Sequence, residues 1–132
     1  MKLSLIIESN RKAAVAIITC DGKVLLGQST AKDDRKDLWC FPGGGVKRFE
    51  TSKRAATREA KEEMGITSRV KAGPKTASGK PNVDFYHCKA SSQTIAKPNK
   101  EFNICGWFTV REMRGLKLYH NVKEMLGKFD IS

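Results

Sequence analysis

The stretch from Thr51 to Met64 constrains this chain more than any other. It is built largely from Ala, Glu, Lys and Arg, all good helix formers, and Gly65 closes it. Thr51 or Ser52 can supply the N-cap. On a helix turning roughly 100° per residue, Glu59, Glu62 and Glu63 fall within an arc of about 100°, with Arg54 and Lys61 on the far side. Neighbouring carboxylates on one face repel by roughly 0.2–0.5 kcal/mol per pair. A helix shaped only for stability would interleave lysines there. A hard divalent cation reverses the sign, because carboxylate oxygens are its preferred ligands. Arg58 lies four residues before Glu62, close enough to pair with it, and Ala55 and Ala56 are small enough to let the helix approach the preceding segment closely.

That segment is Gly43, Gly44 and Gly45, following Pro42. A glycine loop can take backbone conformations closed to other residues. Its carbonyls can complete a metal's oxygen shell and its N–H groups can meet phosphate. Alone, a glycine triplet reads as a turn and a glutamate-rich helix as a solvated one; their fixed separation argues against both readings.

The flanking sequence reads as strands. Ala13 to Thr19 is a near-continuous apolar run, Asp21-Gly22 is a two-residue hairpin turn, and Val24 to Leu26 begins a partner strand. Thr30 to Asp37 reads as a surface loop and Leu38 to Phe41 as a short strand. Ile66 to Ala72 and Val83 to Cys88 read as strands around a turn at Gly79 to Asn82. Ser91 to Asn99 reads as a loop, Ile104 to Val110 as a strand, and Asn121 to Phe129 as a closing helix. Strands on both sides of a strong helix imply a mixed sheet flanked by helices, and 132 residues suit one domain, residues 1–132.

The apolar opening from Met1 to Ile7 stops at Glu8, too short for a membrane span and lacking a cleavage site, so a cytoplasmic protein with no membrane partner is expected. Cys20, Cys40, Cys88 and Cys105 show no metal-ligand spacing and read as free thiols. The net charge of +11 attracts polyanions: between Thr67 and Lys100 seven Lys or Arg face one acid, Asp84. No Arg-rich or aromatic-interleaved motif singles out RNA, which stays a possible partner but not the favoured one.

Gly44 to Ile66 resembles the Nudix box, G-x5-E-x7-R-E-U-x-E-E-x-G-U with U a bulky aliphatic residue. Gly44, Glu50, Arg58, Glu59, Glu62, Glu63, Gly65 and Ile66 fill its positions, and Ala60 departs at the first U. The upstream Leu38 to Gly44 is similar to the family's lead-in. The resemblance implies an α/β/α sandwich with a mixed β-sheet and a loop-helix-loop at the box. It implies hydrolysis of a nucleoside diphosphate linked to another moiety. Glu59, Glu62 and Glu63 would be ligands of Mg²⁺ (or Mn²⁺), with the Gly43 carbonyl as a further ligand. Glu50 and Arg58 would support them, and Gly44 and Gly45 would approach the substrate. It also points to Glu101, six residues before Trp107, as metal ligand or base; on its residues alone Glu101 is a charge at a loop end.

Substrate choice lies outside the box. The family's phosphate-binding arginine at the end of the second strand has no counterpart in Leu26 to Ser29, and Lys32, Arg35 or Lys36 could replace it. Asn121 falls where MutT-like members read a purine edge, but with Glu124 it also fits a helix N-cap, the reading favoured here. Tyr86, beside Phe85, resembles the base-stacking aromatic of dinucleoside polyphosphate hydrolases, although strand alternation would bury one of the rings. The leading expectation is a MutT-like pyrophosphohydrolase of (d)NTPs or modified nucleotides, monomeric or homodimeric. The alternatives are removal of RNA 5′ phosphates or caps, dinucleoside polyphosphate hydrolysis, and an inactive nucleotide- or RNA-binding module, which would usually have lost a box glutamate.

Overall fold

A computed structural model describes residues 12–94 and 97–132, so the apolar opening from Met1 to Ile7 lies outside the described residues. The chain runs β1 (Ala13–Cys20), β2 (Lys23–Ser29), β3 (Trp39–Cys40), β4 (Gly43–Gly45), α1 (Ser52–Met64), β5 (Arg69–Ala77), β6 (Lys80–Lys89) and β7 (Phe102–Phe108). A 3-10 turn at Glu112–Gly115 and α2 (Asn121–Lys128) complete it. The strands form one seven-stranded mixed sheet in the order β3-β2-β1-β6-β5, with β4 also on β1 and β7 also on β2.

The apolar run of β1 is the sheet's centre, and Ile17, Ile18, Leu25 and Leu26 are fully buried. Burial of each such side chain contributes roughly 1.5–3 kcal/mol. β1 is parallel to β6 from Ala13↔Val83 to Thr19↔Lys89. Its far end pairs antiparallel with β2 at Thr19↔Val24 and Cys20↔Lys23, across the Asp21-Gly22 turn, whose two residues both have positive φ. Its near end pairs instead with β4, at Ala13↔Gly45 through Val15↔Gly43. Beyond their hairpin, β1 and β2 therefore have different partners, and the candidate site opens between them.

Alternation on β6 assigns the two faces. Asp84 and Tyr86 point to α1, where Ser52 Oγ donates to Asp84 Oδ2 (2.7 Å) and Tyr86 Oη donates to Ser52 Oγ (2.6 Å). Phe85 points to the other face, which Tyr119 and Asn121 also line. Ala14 and Ala16, opposite Asp84 and Tyr86, share the first face, so they meet the buried Ala55, Ala56 and Ala60 of α1. Small residues on both sides bring the helix close to the sheet.

Several boundaries differ from the sequence expectation, β5 starting at Arg69 and β7 running from Phe102 to Phe108, and three further differences have a clear cause. The glycine triplet is a strand, and none of its residues has positive φ. Its glycines serve close approach: a Cβ at Gly43 would lie 2.7 Å from Ala14 O and 2.8 Å from Val15 Cγ2. The strand expected to end at Ala72 continues through Pro74 to Ala77, which is tolerated because β5 is an edge strand. The hairpin turn narrows to Ser78 and Gly79, so Lys80 to Asn82 already belong to β6. All four cysteines are free, and no helix among the described residues is long and apolar enough to cross a membrane.

Candidate active site

The glutamate face depends on where α1 starts and stops. Thr51 Oγ1 accepts from Arg54 N (3.2 Å) as N-cap, and Gly65, at φ 68°, returns its N–H to Lys61 O. Between these caps Arg58 is the hub of the site. Its Nε donates to Glu50 Oε2 (2.7 Å) and its Nη2 to Glu50 Oε1 (3.0 Å) and Gly45 O (2.9 Å). Its Nη1 donates to Glu59 Oε1 (2.8 Å) and Glu62 Oε2 (3.2 Å). Pairing with Glu62 was expected from the helical spacing; the clamp on Glu50 was not, because Glu50 precedes the helix. Arg58 holds the Glu50 carboxyl below the usual range, helped by the Lys47 N–H that Glu50 accepts (3.0 Å). Such forked, charge-assisted contacts are stronger than neutral ones.

Glu63 sits differently. Only 8% exposed, it accepts the Gly43 N–H at Oε1 (2.9 Å). Burial pushes its carboxyl up to about 8, opposed by the Gly43 hydrogen bond and reinforced by the charges of Glu59 and Glu101. Burial likewise raises Glu59, against the pull of Arg58. Glu62 is largely in solvent.

Gly44 and Gly45 do not line the cavity beside Glu63. Gly44 makes room for Glu59, whose Cδ would be 2.6 Å from a Cβ there, and the Gly45 carbonyl accepts from Arg58. Gly44→Ala is expected to displace the Glu59 carboxylate, the movable end of a flexible side chain, and to cost about 1 kcal/mol of stability as its bond to Arg58 is disturbed, with a loss of turnover. Thermal unfolding and nucleotide turnover check it, and a variant matching the wild type in both would refute the assigned contact.

The cavity holds Glu63, Glu101, Arg35, Cys40, Tyr119 and Asn121 among its walls. Glu101 reaches it through a contact the sequence did not advertise. Asn99 donates its backbone N–H to Glu63 O (3.0 Å) and its Nδ2 to Glu62 O (3.2 Å), and accepts the Glu101 N–H at Oδ1 (2.8 Å). The loop is thereby tied to the end of α1, with Glu101 and Glu63 on one cavity. Arg35, one of three loop cations considered, is the one in the wall; Asp33 holds its Nε (3.3 Å) and Nη2 (3.1 Å). Tyr119 gave no sequence signal; its hydroxyl donates to Asp34 Oδ2 (3.3 Å) and accepts from Lys80 Nζ (2.8 Å).

Asn121 is not the N-cap. That position is His120, without a side-chain cap bond, and Glu124 instead accepts from Ser78 N and Oγ. Asn121 is the first residue of α2, 5% exposed and on the cavity wall. Tyr86 does not stack there: it is buried on the opposite face of the sheet, bonded to Ser52. Both rings of the Phe85-Tyr86 pair are buried, where alternation alone would have buried one.

Among the described residues no three His, Cys, Asp or Glu side chains already converge into a cation cage. Arg58 Nη1 bridges Glu59 and Glu62 instead, while Glu63 is turned to the Gly43 N–H. The donor set nevertheless suits a hard divalent ion. It is all oxygen, and burial first, then the nearby charges of Glu59 and Glu101, disfavours the ionised Glu63, a cost that a bound cation would offset.

Comparisons with known proteins agree with this fold. A family model described as NUDIX domain matches residues 10–128. The CTP pyrophosphohydrolase of Escherichia coli (strain K12) is 44% identical over 59 residues, 45% of this chain and 44% of that protein. The RNA pyrophosphohydrolase of Hydrogenovibrio crunogenus is 38% identical over 52 residues, 39% of this chain and 29% of that protein. Both matches thus span less than half of these relatives' lengths. The crystal structure of a NUDIX-family hydrolase from Clostridium perfringens superposes with a TM-score of 0.74 at 20% identity, over 89% of this chain and 94% of that one.

Proposed function

The chain belongs to the NUDIX family, and we propose that it hydrolyses the diphosphate linkage of a nucleoside triphosphate or modified nucleotide in the cytoplasm. The observation that carries this reading is the buried Glu63, aligned by the Gly43 N–H and facing Glu101 across the cavity. Glu59, Glu62 and Glu63, with the Gly43 carbonyl, are the residues that would hold Mg²⁺ or Mn²⁺. When bound, the ion offsets phosphate charge and lowers the pKa of an attacking water.

The chain's own groups supply the rest. Arg58 and Glu50 keep Glu59 in place, and Arg58 must release a carboxylate when the array rearranges around substrate. Glu101, on the cavity wall, would accept the proton of the water that attacks phosphorus as the bridging P–O bond breaks and the other phosphate departs as an anion. Asn121, whose amide can donate and accept together, reads the base edge. Arg35, aligned by Asp33, meets a phosphate oxygen in place of the arginine missing from the end of β2. The open interior is about 30 Å³, room for a water and not for a base, so this reading requires the cavity walls to open on binding.

A charge-assisted contact is worth about 1.5–3 kcal/mol. Arg35→Ala is therefore expected to raise the KM for nucleotide roughly 10- to 100-fold, with a smaller change in kcat. A KM within twofold of wild type would remove Arg35 from the substrate site. The function itself is tested by turnover with Mg²⁺ on a panel of CTP, other (d)NTPs, oxidised nucleotides, dinucleoside polyphosphates and 5′-triphosphorylated RNA. Mononucleotides as the best substrates support the proposal. Preference for dinucleoside polyphosphates or RNA replaces the substrate, and no turnover on any of them defeats the hydrolytic reading. The homology to a CTP pyrophosphohydrolase and the four free thiols, suited to a reducing compartment, support this assignment.

A further inference from the structure

Two surface grooves meet at Thr67 and Ser68, one of them along the flank of α1. One, of about 320 Å³, starts at Glu50 and Arg58 and passes Arg54 and Lys61 to Thr67 and Ser68. The other, of about 500 Å³, starts at the same Thr67 and Ser68 and passes Arg69 to Lys89. Thr67 and Ser68 wall both grooves, so the two adjoin there and the cations along them make up one basic track. Arg54, Lys61, Arg69 and Lys89 are exposed and enter no ion pair among the described residues. The acids on the track are Glu50, already neutralised by Arg58, and Asp21 at the far end.

Phe49 immediately precedes Glu50, the residue at which this track starts. Its ring is 95% exposed, its φ is 64°, and the Arg48 guanidinium lies 5.0 Å from the ring centroid. A bulky residue at positive φ is strained. The turn that holds it is closed by Glu50, which donates its N–H to Lys47 O and accepts the Lys47 N–H. The strain gains no core packing, since the ring contributes nothing to the interior.

We propose that this track binds single-stranded nucleic acid, with phosphates on Arg54, Lys61, Arg69 and Lys89 and a base stacked on Phe49. A basic groove that follows the backbone, with an aromatic platform for a base, is the physical recipe for such binding. Arg54 and Lys61 are about 10 Å apart along the helix, and the cations beyond them extend the track further than one nucleotide reaches. Presentation of a 5′ polyphosphate end to the α1 carboxylates rests on the hydrolytic reading above; binding in the track does not.

The test is fluorescence anisotropy with an unstructured 12-nucleotide RNA carrying a 3′ label and a 5′ monophosphate, without divalent cation. It compares wild type with the pairs Arg54→Ala/Lys61→Ala and Arg69→Ala/Lys89→Ala and with Phe49→Ser. Each pair should weaken binding at least about tenfold and flatten the slope of log K against log salt by about 1.4, at roughly 0.7 per single-strand phosphate contact. Phe49→Ser should weaken RNA binding about tenfold without changing that slope, and should leave inorganic tripolyphosphate binding unaltered. Hydrolysis of free nucleotide should be unchanged in all three, which also reports that they fold. No RNA binding, an unchanged salt slope in both pairs, or indifference of RNA to Phe49→Ser overturns the proposal. RNA binding by a wild type that hydrolyses nothing upholds this proposal and defeats the hydrolytic reading alone.

Discussion

Arg58→Ala is expected to lower the melting temperature by about 10–20 °C and to abolish measurable turnover. Arg58 makes two contacts to Glu50, one each to Glu59 and Glu62, and one to the Gly45 carbonyl. The side chains of Arg58, Glu50 and Glu59 are all largely shielded from solvent. Removing one partner of such an array leaves uncompensated charge, at a cost of about 3–5 kcal/mol, and each kcal/mol moves the midpoint of a chain this size by about 2–8 °C. Glu62, half in solvent, adds little to the sum. Arg58→Lys should recover only part of the loss, because an ammonium cannot serve the fork that Glu50 and Gly45 require. Calorimetry of the three proteins checks this. A shift below about 2 °C for the alanine variant would mean that the array does not depend on Arg58.

The second large effect concerns Glu63. Its folded-state pKa of about 8 stands above the ordinary carboxylate value. Below the unfolded pKa both states are protonated and the group costs nothing. As pH rises from about 4.5 to 8 the unfolded state ionises while the folded state keeps its proton, so the metal-free protein loses stability across that window. The loss is on the order of a few kcal/mol. Glu63→Gln should flatten this stability profile while retaining the hydrogen bond from Gly43. It should also reduce turnover at least about a hundredfold, since losing even an outer-shell partner of a metal ligand costs about 10–100-fold. Denaturant unfolding in chelator at pH 5.5 and 8.0 is the readout. Equal stability of wild type at both pH values, or full activity in the variant, would contradict the assigned environment.

What the sequence carried and what it did not divide along local and non-local physics. Helix α1, its Thr51 cap and its Gly65 stop were legible because caps and periodicity are local. So were the Asp21-Gly22 turn and the buried strand before it. The strand character of Gly43–Gly45 was not, because glycine has no strand preference and its pairing depends on β1, some thirty residues earlier. Likewise the clamp of Arg58 on Glu50 and the link from Asn99 to Glu62 and Glu63 join segments that no helical wheel relates. Tyr86 was offered as a stacking residue because spacing cannot say which face of β6 meets the cavity; register gives that face to Phe85. Asn121 was read as a cap because local pattern favoured it, whereas tertiary packing made it a wall of the cavity.

The central claim, that the carboxylate face of α1 serves a divalent cation in diphosphate hydrolysis, is tested most directly by the Mg²⁺ dependence of CTP turnover. Wild type, Glu59→Gln, Glu62→Gln and Glu63→Gln would be titrated with Mg²⁺ after chelation. No turnover is expected in chelator, with saturable activation of wild type and either abolished turnover or a half-saturating Mg²⁺ concentration raised at least about tenfold in each variant. Turnover that persists in chelator, or a half-saturating concentration unchanged across the three variants, would contradict it.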